Sequence, residues 1–123
     1  MKQEDKELLL KDLCARLSYG VKCQCFDEKT IALLTGIKSK SELCFDELDY
    51  KEFDGIVKID YCKPYLFPMS SMTEEQNKEW LCTLSSDYHI TYDTIDWLNK
   101  NYFDYRELIP MGLALNATGL NIY

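Results

Sequence analysis

The chain has 123 residues, of which 46% are hydrophobic and 28% charged, a composition typical of one globular domain rather than a disordered segment. It carries 14 basic and 21 acidic residues, and the resulting net charge of −7 disfavours binding to nucleic acid or to anionic membranes. No apolar run reaches the ~20 residues that span a bilayer, and the acidic residues near its start do not fit a signal peptide. We therefore expect a single domain over residues 1–123, located in the cytoplasm.

The amino-terminal half predicts one helix followed by strands. Leu10, Leu13 and Leu17 recur at three- and four-residue steps, which predicts a helix over 4–17 whose solvent side includes Asp12 and Arg16. Short runs with alternating or mostly apolar residues follow, separated by polar turns, and each is typical of a strand. The predicted strands are 21–26, 30–37, 42–48 and 55–61. Because short turns join them, we expect an antiparallel meander of about four strands.

The segment that follows is rich in proline and then changes to helical spacing. Pro64 and Pro68 cannot donate to a strand ladder, so 63–71 is not expected to form a regular central strand. Thr73 and Gln76 have the spacing of a capping box, which predicts a helix that begins after Thr73 and runs to about residue 84. The inward side chains of this helix are expected to be Trp80, Leu81 and Leu84.

The carboxyl-terminal part predicts a second helix and an extended tail. Thr91 or Asp93 can cap a helix that continues to about Tyr102, and the apolar residues 113–123 are expected to pack as an extended segment. The fold class is therefore predicted as α+β: an N-terminal helix, a small antiparallel meander of about four strands, and C-terminal helices packed on the sheet.

The cysteines favour a reducing compartment. Six occur in the chain: Cys14, Cys23, Cys25, Cys44, Cys62 and Cys82. An even number in a short chain indicates disulfides mainly in exported proteins, whereas these fall among apolar residues without an export signal. We expect reduced, mostly buried thiols. Cys23 and Cys25 have no second pair to complete a zinc site, so neither a metal nor another cofactor is predicted.

Catalytic and nucleotide-binding motifs are not found in the sequence. The single histidine, His89, lacks a neighbouring nucleophile motif, and the five glycines form no phosphate-binding loop. The aromatic residues between Tyr88 and Tyr105 are interleaved with aspartates rather than with basic residues. This pattern favours a protein-facing surface over a base-stacking one.

Two features are candidate interaction sites. The loop 63–69 and the aromatic region after it present large apolar side chains that often anchor interfaces. The candidate partner-binding residues are Tyr65, Leu66, Phe67, Met69, Trp97 and Tyr105. The alternative is that the loop plugs the gap between sheet and helix. The acidic run 42–54 could likewise mimic phosphates toward a basic partner, or form a solvated edge that discourages strand pairing.

Three stretches carry a resemblance: 9–22, 63–75 with its Lys-Pro-Tyr-Leu-Phe-Pro-Met sequence, and 95–109 followed by Gly112. Together they resemble a group of short uncharacterised proteins of gut anaerobic bacteria, their phages and other mobile elements. The resemblance brings no activity and no functional residue with it, but it implies a cytosolic bacterial or phage setting.

The function favoured by these observations is that of a small non-enzymatic protein-binding or accessory protein, and the resemblance implies that a phage or mobile element encodes it. Its partner is expected to be a protein. Two alternatives stay open: an acidic inhibitor of a host defence or nucleic-acid-binding protein, and an enzyme with an unrecognised site.

Overall fold

The structure, a computed structural model, describes residues 1–26, 30–46 and 55–123. These residues form an N-terminal helix, a mixed sheet of six strands and two further helices, so the α+β class is confirmed. In chain order the elements are α1 (Gln3–Arg16), β1 (Lys22–Cys25), β2 (Ile31–Ile37), β3 (Glu42–Asp46), β4 (Ile56–Lys58), β5 (Cys62–Leu66), α2 (Glu74–Thr83), α3 (Tyr92–Lys100) and β6 (Leu115–Asn116). The predicted turn at 27–29 and most of the acidic run 42–54 lie outside the described residues.

The sheet contains the predicted meander and extends beyond it. The strand order is β4-β3-β2-β1-β5-β6, and the first four strands pair antiparallel in sequence order. β5 then pairs antiparallel with β1, and β6 pairs in parallel with β5. The prediction of about four strands is therefore corrected to six among the described residues, and the sheet is mixed rather than purely antiparallel.

The prediction that 63–71 would not form a regular central strand is wrong for its first residues, because β5 lies between β1 and β6. Pro64 lies opposite Cys23 in the β1–β5 register. The Leu66 carbonyl accepts a hydrogen bond from Ala117 N, on the β6 side, at 2.8 Å. Residues two apart in a strand point their backbone groups in the same direction, so the backbone groups of Pro64 also face the β6 side. The Pro64 nitrogen thus points away from β1. Pairing with β6 begins only at Tyr65, so the ladder loses no hydrogen bond at the proline.

The main core lies between α1 and one face of the sheet. Leu9 and Leu13 of α1 are completely buried there, whereas Leu10 and Leu17 of the predicted stripe are only partly buried, so the apolar spacing predicted Leu13 but not Leu9. The strands contribute the other buried side chains, and the segment 108–114 closes the core. Its buried residues are Leu9, Leu13, Val21, Cys23, Cys25, Ala32, Leu34, Leu43, Phe45, Val57, Ile59, Cys62, Leu66, Leu108, Leu113 and Ala114. None belongs to α2 or α3, so the expected packing of these helices on the sheet is corrected.

α2 and α3 form a helical hairpin at the side of this core. The capping box of α2 is confirmed, because Gln76 N donates to Thr73 Oγ1 at 3.1 Å and Thr73 N donates to Gln76 Oε1 at 2.9 Å. α2 contains no buried residue, and Leu81, expected to point inward, is exposed. Its sequence is mostly charged and polar, which leaves too narrow an apolar stripe to cover a sheet.

The carboxyl-terminal tail contacts β5, but only Leu115–Asn116 of the predicted extended segment 113–123 forms a strand, with turns before and after it. Ala117 N donates to the Leu66 carbonyl at 2.8 Å, and the Tyr123 hydroxyl donates to the Tyr65 carbonyl at 2.9 Å. The Tyr123 ring stacks on Tyr102 with centroids 3.7 Å apart. The tail therefore bonds β5 on both sides: at Leu66 on the β6 side and, through Tyr123, at Tyr65 next to Lys22 of β1.

Candidate functional site

The structure places the four predicted residues of the loop 63–69 in two different environments. Tyr65 and Leu66 are buried in β5, whereas Phe67 and Met69 are half-buried. Phe67 lies between the rings of Phe103 and Tyr123, at centroid distances of 6.2 and 6.1 Å. Tyr65 and Leu66 therefore fit the alternative in which the loop fills an interior gap, and they offer no surface to a partner in this structure.

The other two predicted residues are half-buried and hold elements together. Trp97 stacks on Phe103 with centroids 5.5 Å apart and an interplanar angle of 9°, and its indole nitrogen donates to Glu79 Oε2 at 3.3 Å. The Tyr105 hydroxyl donates to Asn99 Oδ1 at 2.9 Å. Each has structural contacts that account for its position. A direct contact with a partner stays a prediction for these two and for Phe67 and Met69.

A buried charge network joins α1 to the segment after α3. Asp12 and Arg16 are completely buried, and Arg16 donates to Asp12 through Nε at 2.9 Å and through Nη2 at 3.2 Å. Arg16 Nη2 also donates to the Phe103 carbonyl at 2.6 Å, and Arg106 Nη1 donates to Asp12 Oδ1 at 2.8 Å. Both guanidinium groups face the Tyr105 ring. The expectation that Asp12 and Arg16 lie on the solvent side of α1 is therefore wrong.

A thiol cluster lies inside the sheet core. Cys25 and Cys62 occupy opposite positions on β1 and β5, and Cys23 is buried two pairs away on the same strand as Cys25. A hydrogen bond with Cys25, together with burial, raises the pKa of Cys62 far above the usual range, and burial raises the pKa of Cys23. Neutral thiols are poor nucleophiles and poor metal ligands. Of the six free cysteines, Cys14 and Cys82 are exposed and Cys44 is partly buried, so the expectation of mostly buried thiols describes half of them.

Because the pKa values of Cys23 and Cys62 are raised, we expect the folded protein to lose stability at alkaline pH. In the folded protein Cys23 and Cys62 stay neutral above pH 9, the region in which the unfolded chain loses their protons. The unfolded state then binds fewer protons, so the free energy of unfolding is unaffected below about pH 8 and falls above about pH 9, by about 1.4 kcal/mol per pH unit for each group. Urea unfolding at a series of pH values measures this slope.

Two serine variants separate the buried thiols from an exposed one. Cys62→Ser removes one titrating group, so its stability should fall less steeply above pH 9 than that of the wild type. Cys14→Ser removes an exposed thiol and should retain the wild-type slope. Equal slopes in the wild type and in Cys62→Ser would contradict a neutral buried Cys62.

Two surface cavities lack the combination of side chains that an enzyme site requires. One of about 330 Å³ lies along α1 and includes Cys14 with Lys6, Lys11 and Lys40. Another of about 460 Å³ is lined mainly by apolar side chains, with Glu42 and Lys58 as its charged residues. His89 lines neither of them. Neither cavity combines a nucleophile with a histidine base, and among the described residues no three Cys, His, Asp or Glu side chains are grouped to hold a metal ion.

The most exposed apolar side chains of the described chain are found in one short stretch. The hairpin tip, defined as residues 85–96, comprises the connection between α2 and α3 and the first turn of α3. Within it, Tyr88 is 79% exposed, Ile90 64% and Tyr92 92%. Five consecutive residues span at most about 14 Å between their outer Cα atoms, so the three side chains fit within one interface. Isolated exposed apolar residues are common, whereas three within five consecutive residues concentrate exposed apolar surface in one short segment.

Local hydrogen bonds hold the hairpin tip in shape. Ser85 N donates to the His89 carbonyl at 3.0 Å, Tyr88 N donates to the Ser85 carbonyl at 2.8 Å, and His89 N donates to Ser85 Oγ at 3.0 Å. Tyr88 has a φ of 62°, in the left-handed region that non-glycine residues seldom adopt. The tip is thus a closed turn that presents its aromatic side chains outward.

Threonines close the base of the same turn. Thr91 N and Thr94 Oγ1 lie 3.1 Å apart and Thr94 N and Thr91 Oγ1 lie 3.2 Å apart, so each backbone N–H donates to the other side chain. The Thr91 and Thr94 hydroxyls also donate to the Thr83 carbonyl, at 2.9 and 3.0 Å. Thr94 is completely buried. This closure ties the end of α2 to the start of α3.

Comparison with known proteins adds no functional assignment. No family model, curated protein or solved structure matches the chain. Within the described residues, no helix has the length and apolar character needed to cross a membrane. The candidate site therefore depends on the chain's own geometry, and the hairpin tip has the clearest form of a contact surface.

Proposed function

We propose that this protein is a small non-enzymatic binding protein that contacts a protein partner through the hairpin tip. The observation that carries the proposal is the exposure of Tyr88, Ile90 and Tyr92 on one closed turn. Tyrosine is enriched in the centres of protein interfaces, and covering the two tyrosines and the isoleucine supplies a substantial apolar contribution to binding.

The rigidity of the tip supports the same function. When a mobile loop becomes ordered on binding, it loses conformational entropy, and this cost weakens the affinity for the partner. Here the hydrogen bonds from Ser85 to His89 and the threonine contacts at the base already restrict the backbone. A turn that is closed before binding avoids most of this ordering cost.

The setting proposed for this function is the cytoplasm. All six cysteines are free thiols, which suits a reducing compartment. A phage or mobile-element origin, implied by the resemblance of the sequence, is part of the same proposal. Inhibition of a host protein is one form that such binding could take, and the net charge of −7 directs it toward basic partners.

Affinity capture with matched variants tests the proposal. Immobilised wild-type protein should retain specific proteins from a host-cell lysate, and the triple variant Tyr88→Ala, Ile90→Ala, Tyr92→Ala should lose them. The control variant Met111→Ala, Leu120→Ala removes two other exposed apolar side chains and should retain them. If the tip variant captures the same proteins as the wild type while both are folded by circular dichroism, the tip is not the binding surface.

A further inference from the structure

We infer that the hairpin tip binds a basic amphipathic peptide segment, in which Lys or Arg residues flank aliphatic side chains. This inference depends on the proposed function and adds the chemistry of the partner. It starts from the charges around the three exposed apolar residues. Asp87, Asp93 and Asp96 are all exposed, and residues 85–96 contain no Lys or Arg.

The three aspartates are available to a partner. Among the described residues none of them has a side-chain hydrogen bond or an ion pair. The longer segment 73–123 is also acidic, with eight acidic and three basic residues and a net charge of −5. One of those three basic residues, Arg106, is already paired with the buried Asp12. Exposed apolar side chains flanked in the sequence by uncompensated aspartates complement a surface that is both apolar and basic.

The same charges disfavour the other classes of partner. Nucleic-acid phosphates and anionic lipid headgroups would be repelled by Asp87, Asp93 and Asp96. Two copies of the chain meeting tip to tip would bring six aspartates together, each copy carrying a net charge of −7. A partner without charge would cover the patch but leave the aspartates partly desolvated and unpaired. A basic segment is the class that satisfies both the apolar and the charged groups.

The spacing within the tip suggests how such a segment would lie. Tyr88, Ile90 and Tyr92 alternate along the turn, and Asp87 and Asp93 bracket them in the sequence. Aliphatic side chains of the partner would pack on the apolar residues, while its flanking Lys or Arg side chains pair with the aspartates. Exposed charge pairs are screened by salt, so the affinity should fall as the salt concentration rises.

Three synthetic peptides of equal length provide the probes. One alternates lysine with leucine, one replaces its lysines with glutamates, and one replaces its leucines with serines. Fluorescence anisotropy with full-length protein should show that the lysine–leucine peptide binds at least about tenfold more tightly than either of the others. Equal affinity for the glutamate–leucine peptide would overturn the requirement for basic residues.

Charge-matched variants locate the binding site. The triple variant Asp87→Asn, Asp93→Asn, Asp96→Asn should bind the lysine–leucine peptide at least about tenfold more weakly and lose most of its salt dependence. The control replaces three exposed acids elsewhere and changes the net charge equally: Glu4→Gln, Glu75→Gln, Glu107→Gln. It should bind like the wild type. If both variants weaken binding equally, net charge alone explains the affinity and the inference fails.

The two proposals can fail separately. Suppose that the alanine variant of the tip loses its captured proteins while the asparagine variant retains them. The tip is then a binding surface, but its partner does not need to be basic. If neither variant changes either capture or peptide binding, both the proposed function and this inference are wrong.

Discussion

Replacing Asp12 with alanine is expected to lower the free energy of unfolding by about 3–5 kcal/mol. The carboxylate accepts hydrogen bonds from the completely buried Arg16 and from Arg106. Its removal leaves the Arg16 guanidinium in the protein interior without a counter-ion, and that uncompensated charge makes the loss large. Urea unfolding followed by circular dichroism measures the change.

Two further variants test whether the buried charge is the cause. Asp60→Ala removes the partly exposed ion pair with Lys6, whose atoms lie 3.3 Å apart, and should cost less than about 1 kcal/mol. The double variant Asp12→Ala, Arg16→Met removes the stranded cation as well and should recover much of the lost stability. A double variant as unstable as Asp12→Ala alone would mean that lost packing, rather than unpaired charge, dominates.

Replacing Phe103 with alanine is the second large effect, with an expected cost of about 3–5 kcal/mol. Phe103 is completely enclosed, stacks on Trp97 and contacts the Phe67 ring, so it joins the helical hairpin to the end of β5. Its loss creates a cavity at the point where the hairpin meets the domain. Thermal unfolding measures the cost, and tryptophan emission should shift to longer wavelength as Trp97 becomes more exposed.

Tyr92→Ala provides the comparison for this variant. Tyr92 is almost fully exposed, and an exposed side chain with few contacts contributes little to folding, so its removal should change stability by less than about 0.5 kcal/mol. The same variant shows that the tip residues can be changed without unfolding the protein. Similar costs for Phe103→Ala and Tyr92→Ala would contradict the role of Phe103 as the anchor of the hairpin.

Local sequence patterns predicted the elements whose signals are contained within a few residues. The predicted helix 4–17 corresponds to α1, and the predicted strands 21–26, 30–37 and the described part of 42–48 match β1, β2 and β3 closely. Of the predicted strand 55–61, only Ile56–Lys58 forms β4. Thr73 caps α2 as its spacing with Gln76 predicts. Apolar periodicity and capping depend on neighbours along the chain, and this is why they could be recognised without the fold.

The candidate site was predicted in part. The interleaving of tyrosines with aspartates from Tyr88 onward favoured a protein-facing surface, and the exposed tip contains the start of that stretch. The predicted anchors lie elsewhere: Tyr65 and Leu66 are buried, and Trp97 and the other three are half-buried. Side-chain type indicates which residues can anchor an interface, but exposure depends on which parts of the chain pack over them.

The misassigned residues share one physical cause, which is contact with distant parts of the sequence. Asp12 and Arg16 looked like a solvated helical pair because their partners, Phe103 and Arg106, lie about 90 positions away. Pro64 could join a strand because the paired part of β6 begins one residue later. Helix 4–17, the meander and the caps followed from the order of residues, whereas the buried charges, the fifth and sixth strands and the exposed tip followed from long-range packing. Burial is a property of the assembled chain, since a side chain loses its contact with water only when remote segments cover it.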